Sequence, residues 1–381
     1  MKYMKKRSAM RALALICALM LVLGAVLTAN ATPSLSAKSA ILIEAQSGKV
    51  LYQQNAFVRL PMASTTKIMT AIVAIESGNI GRTVSVSPDA VGIEGSSIYL
   101  YPNEKLTLEQ LIYALLLESA NDAATAIAIE VAGSVDAFAA LMNQKAEELG
   151  LTATHFTNPH GLDNEEHYTT AYDLACIAAY ALKNETFRKL CSTGRMTIPL
   201  KGDEGTRVLV NHNKMLSRYE GTIGVKTGFT KRSGRCLVSA AERDGLTLVA
   251  VTLNAPDDWN DHEKMLDFGF ERYENESLAE KGGLTLPLSV VGGDTEYVLT
   301  SNTEALSAML TKSHGNITCR VEADHILYAP IARGTVVGRV IYSCDGEDIA
   351  SSDLITLNEV AYKKAEKQGF FAWLKALIFR D

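Results

Sequence analysis

The sequence predicts an α+β protein: an antiparallel sheet with a helical cluster, followed by a small mostly-β domain and a C-terminal amphipathic helix. Three observations carry this. An alternating hairpin near residue 40 and three alternating runs after residue 221 flank a stretch of helical periodicity. Beyond Tyr273 the composition shifts to short apolar runs punctuated by Gly-Gly, Asp-Gly and His-Gly pairs. Residues 359–381 then gather aromatic and apolar side chains among lysines. With 381 residues, 47% of them apolar and 21% charged, the chain is long enough for two domains with sizeable cores.

Residues 1–31 read as a secretory signal peptide. Lys2, Lys5, Lys6, Arg7 and Arg11 precede an apolar run from Ala12 to Leu27, and Ala29-Asn30-Ala31 offers a small-x-small cleavage pattern. The alternative, an uncleaved anchor, is disfavoured because the run is short for a hydrocarbon core of about 30 Å. Either reading places the remainder outside the cytoplasm. The segment holds five positive and no negative residues, so its removal takes the formal charge from -6 to -11. An acidic exported chain is not a nucleic-acid binder.

Residues 32–273 form the first predicted domain. SAILIEAQSGKVLYQQN reads as a hairpin turning at Gln46-Ser47-Gly48. Residues 65–76 carry Ile68, Met69, Ile72 and Ile75 at helical spacing, and TLEQLIYALLLE opens with a Thr107 to Gln110 capping box. Further helices are expected over 135–149, ended by Gly150, and over 171–182, opened by Thr170. GTIGVKTGFT, RCLVSAAE and LTLVAVTLN then read as strands, the last two joined by Arg243-Asp244-Gly245, and a helix over 262–273 closes the domain.

Residues 274–358 form the predicted β domain, with helical periodicity only around 304–310. Residues 359–381, EVAYKKAEKQGFFAWLKALIFRD, contain an apolar stretch too short to span a bilayer; an aromatic-rich helix lying in the membrane interface fits it better. Five cysteines follow the signal segment, none in a CxxC pair, and an odd number excludes complete internal pairing. One pairing, Cys319 with Cys344, stays open.

The chemistry lies in three separated segments. PMASTTKIMTA puts Ser64 and Lys67 one helical turn apart at a helix start. A serine hydroxyl needs an adjacent base to act as a nucleophile, and a lysine serves as that base only if burial or a neighbouring cation lowers its pKa. Lys226 could supply that charge. Alone, a Ser-x-x-Lys spacing describes many ordinary capped helices. ESAND adds Ser119 and Asn121 at a corner between two helical patterns, and VKTGFT adds Lys226, Thr227, Gly228 and Phe229 on a strand. Strict alternation would send Lys226 and Gly228 to one face and Thr227 to the other unless the edge is twisted.

SxxK, a serine-x-asparagine corner and KTG, in this order, are the signature of penicillin-binding proteins and related β-lactamases. From its export signal through PMASTTK, SANDAA, NPHGLDNEEHYTTAYDLA and GVKTGFT to a β domain and an amphipathic tail, the chain resembles the low-molecular-mass penicillin-binding proteins, the serine-type D-alanyl-D-alanine carboxypeptidases of peptidase family S11. The resemblance implies the penicillin-binding/β-lactamase-like transpeptidase fold and removal of the terminal D-alanine from peptidoglycan pentapeptide stems. It implies that Ser64 forms the acyl-enzyme, that Lys67 takes its proton, and that Ser119 relays a proton to the leaving D-alanine. Asn121 would hold Lys67 and the substrate amide, Lys226 and Thr227 would bind the terminal carboxylate, and the N–H groups of Ser64 and Phe229 would form the oxyanion hole. β-Lactams would act as inhibitors, no cofactor is called for, and the tail would dock on the outer face of the cytoplasmic membrane.

One departure stands out. Several relatives carry an arginine beyond the strand that follows KTG, whereas this chain reads NAPDDWNDHEK there. Carboxylate recognition then falls to Thr227 and Lys226, or to Lys231, Arg232 or His262. His155, His160, Asp163 and His167 invite a metal reading, but their spacing matches no tetrahedral or HExxH pattern, and a loop held by hydrogen bonds is expected instead. Two rival functions share the motifs: a serine β-lactamase, which needs a group to activate the deacylating water, and a catalytically idle wall-binding module.

Overall fold

The computed structural model describes residues 32–201, 205–324 and 326–364. The predicted signal peptide and residues 365–381 of the predicted tail helix lie outside the described residues. The chain divides into two compact units, the first ending at Glu271 and the second beginning at Arg272.

The first unit is built on a five-stranded antiparallel sheet. In chain order its elements are β1 (Ser39–Glu44), β2 (Val50–Gln54), α1 (Lys67–Glu76), β3 (Thr83–Ser85), β4 (Lys105–Thr107), α2 (Leu108–Leu117), α3 (Asn121–Ala132), α4 (Val135–Glu148), α5 (Ala171–Leu182), α6 (Glu185–Ser192), β5 (Arg195–Pro199), β6 (Thr206–Val210), α7 (Met215–Arg218), β7 (Thr222–Thr230), β8 (Gly234–Arg243), β9 (Leu246–Leu253) and α8 (Asp258–Arg272). The sheet order β2-β1-β9-β8-β7 joins the two ends of the unit, Ser39 pairing with Leu253, and leaves β7 at an edge.

Alternation along the strands explains why both faces are covered. Ile41, Ile43, Val238, Val249 and Val251 point into the helical cluster, whose largest core they share with α1 and α2. On the other face α8 packs closely enough that a Cβ at Gly269 would meet the side chains of Leu248 and Leu42. α1 is buried from Lys67 to Ile75, as a helix surrounded by others must be. The Thr107–Gln110 capping box forms with both of its hydrogen bonds.

Three differences from the sequence reading have physical causes. α8 begins at Asp258, not at 262, because Asp258 and Asp261 occupy its first turn, where carboxylates favour the positive helix end. The helical period around 304–310 forms strand β13 (Leu306–Thr311), because pairing with β10 (Tyr273–Ala279) overrides a weak local pattern. The hairpin β5–β6 and helix α6 were not foreseen; β6 alternates only weakly around Arg207.

The second unit continues with β11 (Leu286–Val291), β12 (Tyr297–Asn302), β14 (Ile317–Ala323), β15 (Leu327–Tyr328), β16 (Val336–Cys344) and β17 (Glu347–Thr356), arranged as a six-stranded sheet in the order β14-β16-β17-β12-β11-β15. Its cores are small, one around Val298 and Val360, another around Val340 and Leu354. Val360 and Tyr362 bridge to Ile331 and Gly293, so the chain is paired as strand where the tail helix was expected to begin. Five cysteines in the described residues are free. Cys319 pairs with Tyr342 and Cys344 with Ile317, which makes the two cysteines diagonal neighbours about 7–8 Å apart. That spacing is too wide for a disulfide.

Candidate active site

Ser64 lies in a single 3-10 turn, Ala63–Thr66, that runs directly into α1. Two glycines allow other segments to reach it. A Cβ on Gly228 of β7 would stand 3.0 Å from the Ser64 nitrogen, and one on Gly161, itself at φ +88, would stand 1.9 Å from the Ala63 carbonyl oxygen.

Lys67 is fully buried, and its Nζ has three partners: Ser64 Oγ at 2.9 Å, Asn121 Oδ1 at 2.7 Å and the His160 carbonyl at 2.6 Å. Burial lowers its pKa well below the usual lysine value and repulsion from Lys226 adds to that, against a smaller opposing pull from Asp122. A neutral amine has two N–H donors and one lone pair. In that neutral form, with the donors directed at Asn121 and His160, the lone pair would be left for the Ser64 hydroxyl. This is what a general base requires: proton affinity, position and no competing proton.

Lys226 is also buried, and its Nζ donates to the Thr227 carbonyl at 2.9 Å. Burial brings its pKa down to about 7. Ser119 sits at the corner between α2 and α3 with φ 59, an uncommon conformation for a residue other than glycine. Its hydroxyl has no hydrogen-bond partner among the described residues.

The cleft above these groups has a volume of about 540 Å³, and Ser64, Ser119, Thr227, Gly228 and Phe229 all line it. Thr227 and Gly228 both line the cleft despite strict alternation, because β7 is the edge strand of its sheet and its unpaired backbone edge is open there. Lys67 and Asn121 lie beneath the cleft floor. All eight residues expected from the sequence thus converge on one place.

A supporting layer was invisible in the sequence. Asp122, fully buried, accepts from Ser97 Oγ at 2.6 Å and from the N–H groups of Leu100 and Ala123. Asn121 itself donates to the Glu94 carbonyl at 2.6 Å and to the Ser96 carbonyl at 2.7 Å. The start of α3 therefore binds the 94–100 loop to the catalytic corner. The histidine-rich segment is held as a loop by its own hydrogen bonds. His167 Nδ1 accepts from the Thr157 N–H, which leaves its Nε2–H for Thr66, and burial lowers its pKa to about 4.

Of the residues that could replace the absent arginine, Thr227 lines the cleft, whereas Lys226, Lys231, Arg232 and His262 do not. His262 is buried between Ser239 and Thr252. The cleft arginine is Arg235 at the start of β8, which the sequence reading passed over. Its guanidinium pairs with Asp258 at 2.9 Å and lies over the Trp259 ring. The signal available was its pairing, across the hairpin, with Phe229 of the KTGFT strand.

A five-stranded antiparallel sheet whose edge strand closes on a Ser-x-x-Lys helix start, with a serine-x-asparagine corner between them, is the architecture of the penicillin-recognising acyltransferases. Residues 26–257 match the D-alanyl-D-alanine carboxypeptidase family, and residues 273–362 match the C-terminal domain of penicillin-binding protein 5. The D-alanyl-D-alanine carboxypeptidase DacF of Bacillus subtilis is 35% identical over 350 residues, covering 89% of this chain and 88% of its own. DacC of Escherichia coli is 32% identical over 367 residues, covering 89% and 86%. Penicillin-binding protein 5 of Haemophilus influenzae superposes with a TM-score of 0.70 at 29% identity, covering 87% of this chain and 99% of that one. The chain belongs to the D-alanyl-D-alanine carboxypeptidase family of low-molecular-mass penicillin-binding proteins.

Proposed function

We propose that this member of the family removes the terminal D-alanine of peptidoglycan pentapeptide stems through an ester on Ser64. The observation that carries the reading is the 2.9 Å contact between Ser64 Oγ and a buried Lys67 amine whose other partners are both acceptors. Ser64 Oγ attacks the carbonyl carbon of the penultimate D-alanine while its proton passes to Lys67 Nζ. The C–N bond then breaks, and the proton leaves with the D-alanine amine by way of the Ser119 hydroxyl. Water hydrolyses the ester and restores Ser64. The N–H groups of Ser64 and Phe229 are the candidate donors to the developing oxyanion, each a contribution of roughly 3 kcal/mol.

Selection of a C-terminal residue over an internal bond needs a cation for the free carboxylate. Lys226 is buried, turned to a backbone carbonyl and half-neutral near pH 7, so it acts on the cleft chiefly through its field. Arg235 is permanently charged and held by Asp258 on the cleft wall, which makes it, with Thr227, the carboxylate anchor in this reading. The export signal and aromatic tail suit work on the outer face of the cytoplasmic membrane, with β-lactams as acylating inhibitors.

The test is release of D-alanine from a pentapeptide ending in D-Ala-D-Ala, with Ser64→Ala as control, together with labelling by a fluorescent penicillin. Steady release and a long-lived adduct on Ser64 support the proposal. Rapid loss of the adduct with no release of D-alanine identifies a β-lactamase instead.

A further inference from the structure

Tyr99 is a bulky aromatic residue at φ 57, a left-handed conformation that suits glycine or asparagine, and its side chain is 80% exposed. The turn is held from both sides. Its N–H donates to Ser97 Oγ at 3.0 Å, and Ser97 Oγ in turn donates to the buried carboxylate of Asp122. Its carbonyl accepts from Arg207 Nη2 at 3.0 Å, and Arg207 is ion-paired with the buried carboxylate of Glu104. Two buried carboxylates thus sustain an unfavourable backbone conformation whose visible outcome is a ring presented to solvent.

The position of that ring relative to the cleft gives it meaning. Ser96 lines the cleft, and its neighbours Ser97 and Ile98 line a second groove of about 300 Å³, which Glu118, Arg207, Val208 and Leu209 complete. Glu118 immediately precedes Ser119 and pairs with His212, itself on the cleft wall. The groove and the cleft therefore share a border. Tyr99 lies three residues from the cleft-lining Ser96, no more than about 11 Å along the chain. A stem of four residues before the scissile bond spans at most roughly 14 Å, so the rim is within reach of whatever carries the stem.

We propose that Tyr99 is a stacking platform for a sugar ring of the glycan strand to which the stem is attached. The inference rests on the peptidoglycan reading given above. A pyranose presents a face of C–H groups bordered by hydroxyls. The Tyr99 ring offers an apolar face of matching size, and its fixed turn removes the ordering cost that a mobile loop would pay on binding. Lys201 and Arg207 lie over the Tyr101 ring nearby, so among the described residues Tyr99 is the ring of the pair left without a partner cation.

The experiment compares the full chain with Tyr99→Ala and Tyr99→Gly on a free pentapeptide and on the same pentapeptide joined to a disaccharide. The proposal expects kcat/KM on the free peptide to stay within about twofold and that on the glycan-linked substrate to fall about tenfold, through KM. Tyr99→Gly, which relaxes the turn, should match or exceed the parent in Tm, and penicillin labelling should be unchanged in both variants. Equal losses on the two substrates, or no loss on the linked one, overturn it. Co-sedimentation with purified sacculi, with Ser64→Ala in every protein, reads the same contact without turnover. A several-fold lower bound fraction for Tyr99→Gly supports the platform and an equal fraction overturns it, even if the parent releases no D-alanine and the carboxypeptidase reading fails.

Discussion

In the first unit Lys67, Lys226, Asp122, Asp261 and His262 are all buried, whereas in the described part of the second unit the buried polar side chains are uncharged: Thr300, Ser301, Asn302, Ser343, Ser352 and Thr356. The second unit keeps its ionic contacts at the surface, as in Arg320 with Asp348. A buried charge is unfavourable unless paired, and nothing in a structural domain requires it to stay unpaired. The first unit sets two lysines without carboxylate partners inside its core, and the difference locates the chemistry independently of any motif. Desolvation that would be a defect in the β unit lowers the pKa of Lys67, which is what the proposed role of Lys67 as a base requires.

That contrast can be broken from its strongest point outward. Ser64→Ala and Lys67→Ala should each lower D-alanine release by roughly 10⁴-fold or more, with circular dichroism unchanged for Ser64→Ala. Asp122→Ala should leave the donors at Ser97, Leu100 and Ala123 unmatched and destabilise the first unit by about 2–4 kcal/mol, read as a lower midpoint in denaturant. Arg235→Gln should raise KM about tenfold for a substrate with a free C-terminal carboxylate while leaving a C-terminal amide analogue unaffected, and a loss common to both would remove Arg235 from carboxylate recognition.

The pH profile sharpens the same point. Lys67 works only when unprotonated, and its pKa is depressed, so kcat/KM should be low in acid and rise as Lys67 loses its proton. Lys226 is charged below about 7 and neutral above it. In the parent the permanent charge of Arg235 should keep KM nearly flat across that pH, whereas in Arg235→Gln KM should climb as pH passes through about 7. At the weak end, Arg320→Ala in the β unit should leave both Tm and D-alanine release at parent values, because its pair with Asp348 lies on the solvent-exposed surface.

Much of the framework was legible in the chain because it depends on local rules. The capping box at Thr107, the Asp244-Gly245 turn with both residues at positive φ, and the hairpin near residue 40 each follow from the residues that form them. Strand β13 was misread for the opposite reason: its short pattern is ambiguous alone, and its partner β10 is decided by the tertiary fold. Arg235 is not marked by any motif: the stretch after β9 lacks the arginine that several relatives carry there, and the arginine that reaches the cleft comes from the adjacent strand β8. Linear distance from a motif is a poor guide where an antiparallel hairpin brings Phe229 opposite Arg235.

The chain by itself determined which groups could react: a hydroxyl with an amine one turn away, a serine-asparagine corner, and a lysine-threonine-glycine strand, since residue type and helical spacing are local properties. Only the tertiary structure decided their states. The pKa of Lys67, the burial of Lys226 and which cations line the cleft depend on burial and on contacts between distant segments, and desolvation is a property of everything packed around a group rather than of its neighbours in the chain.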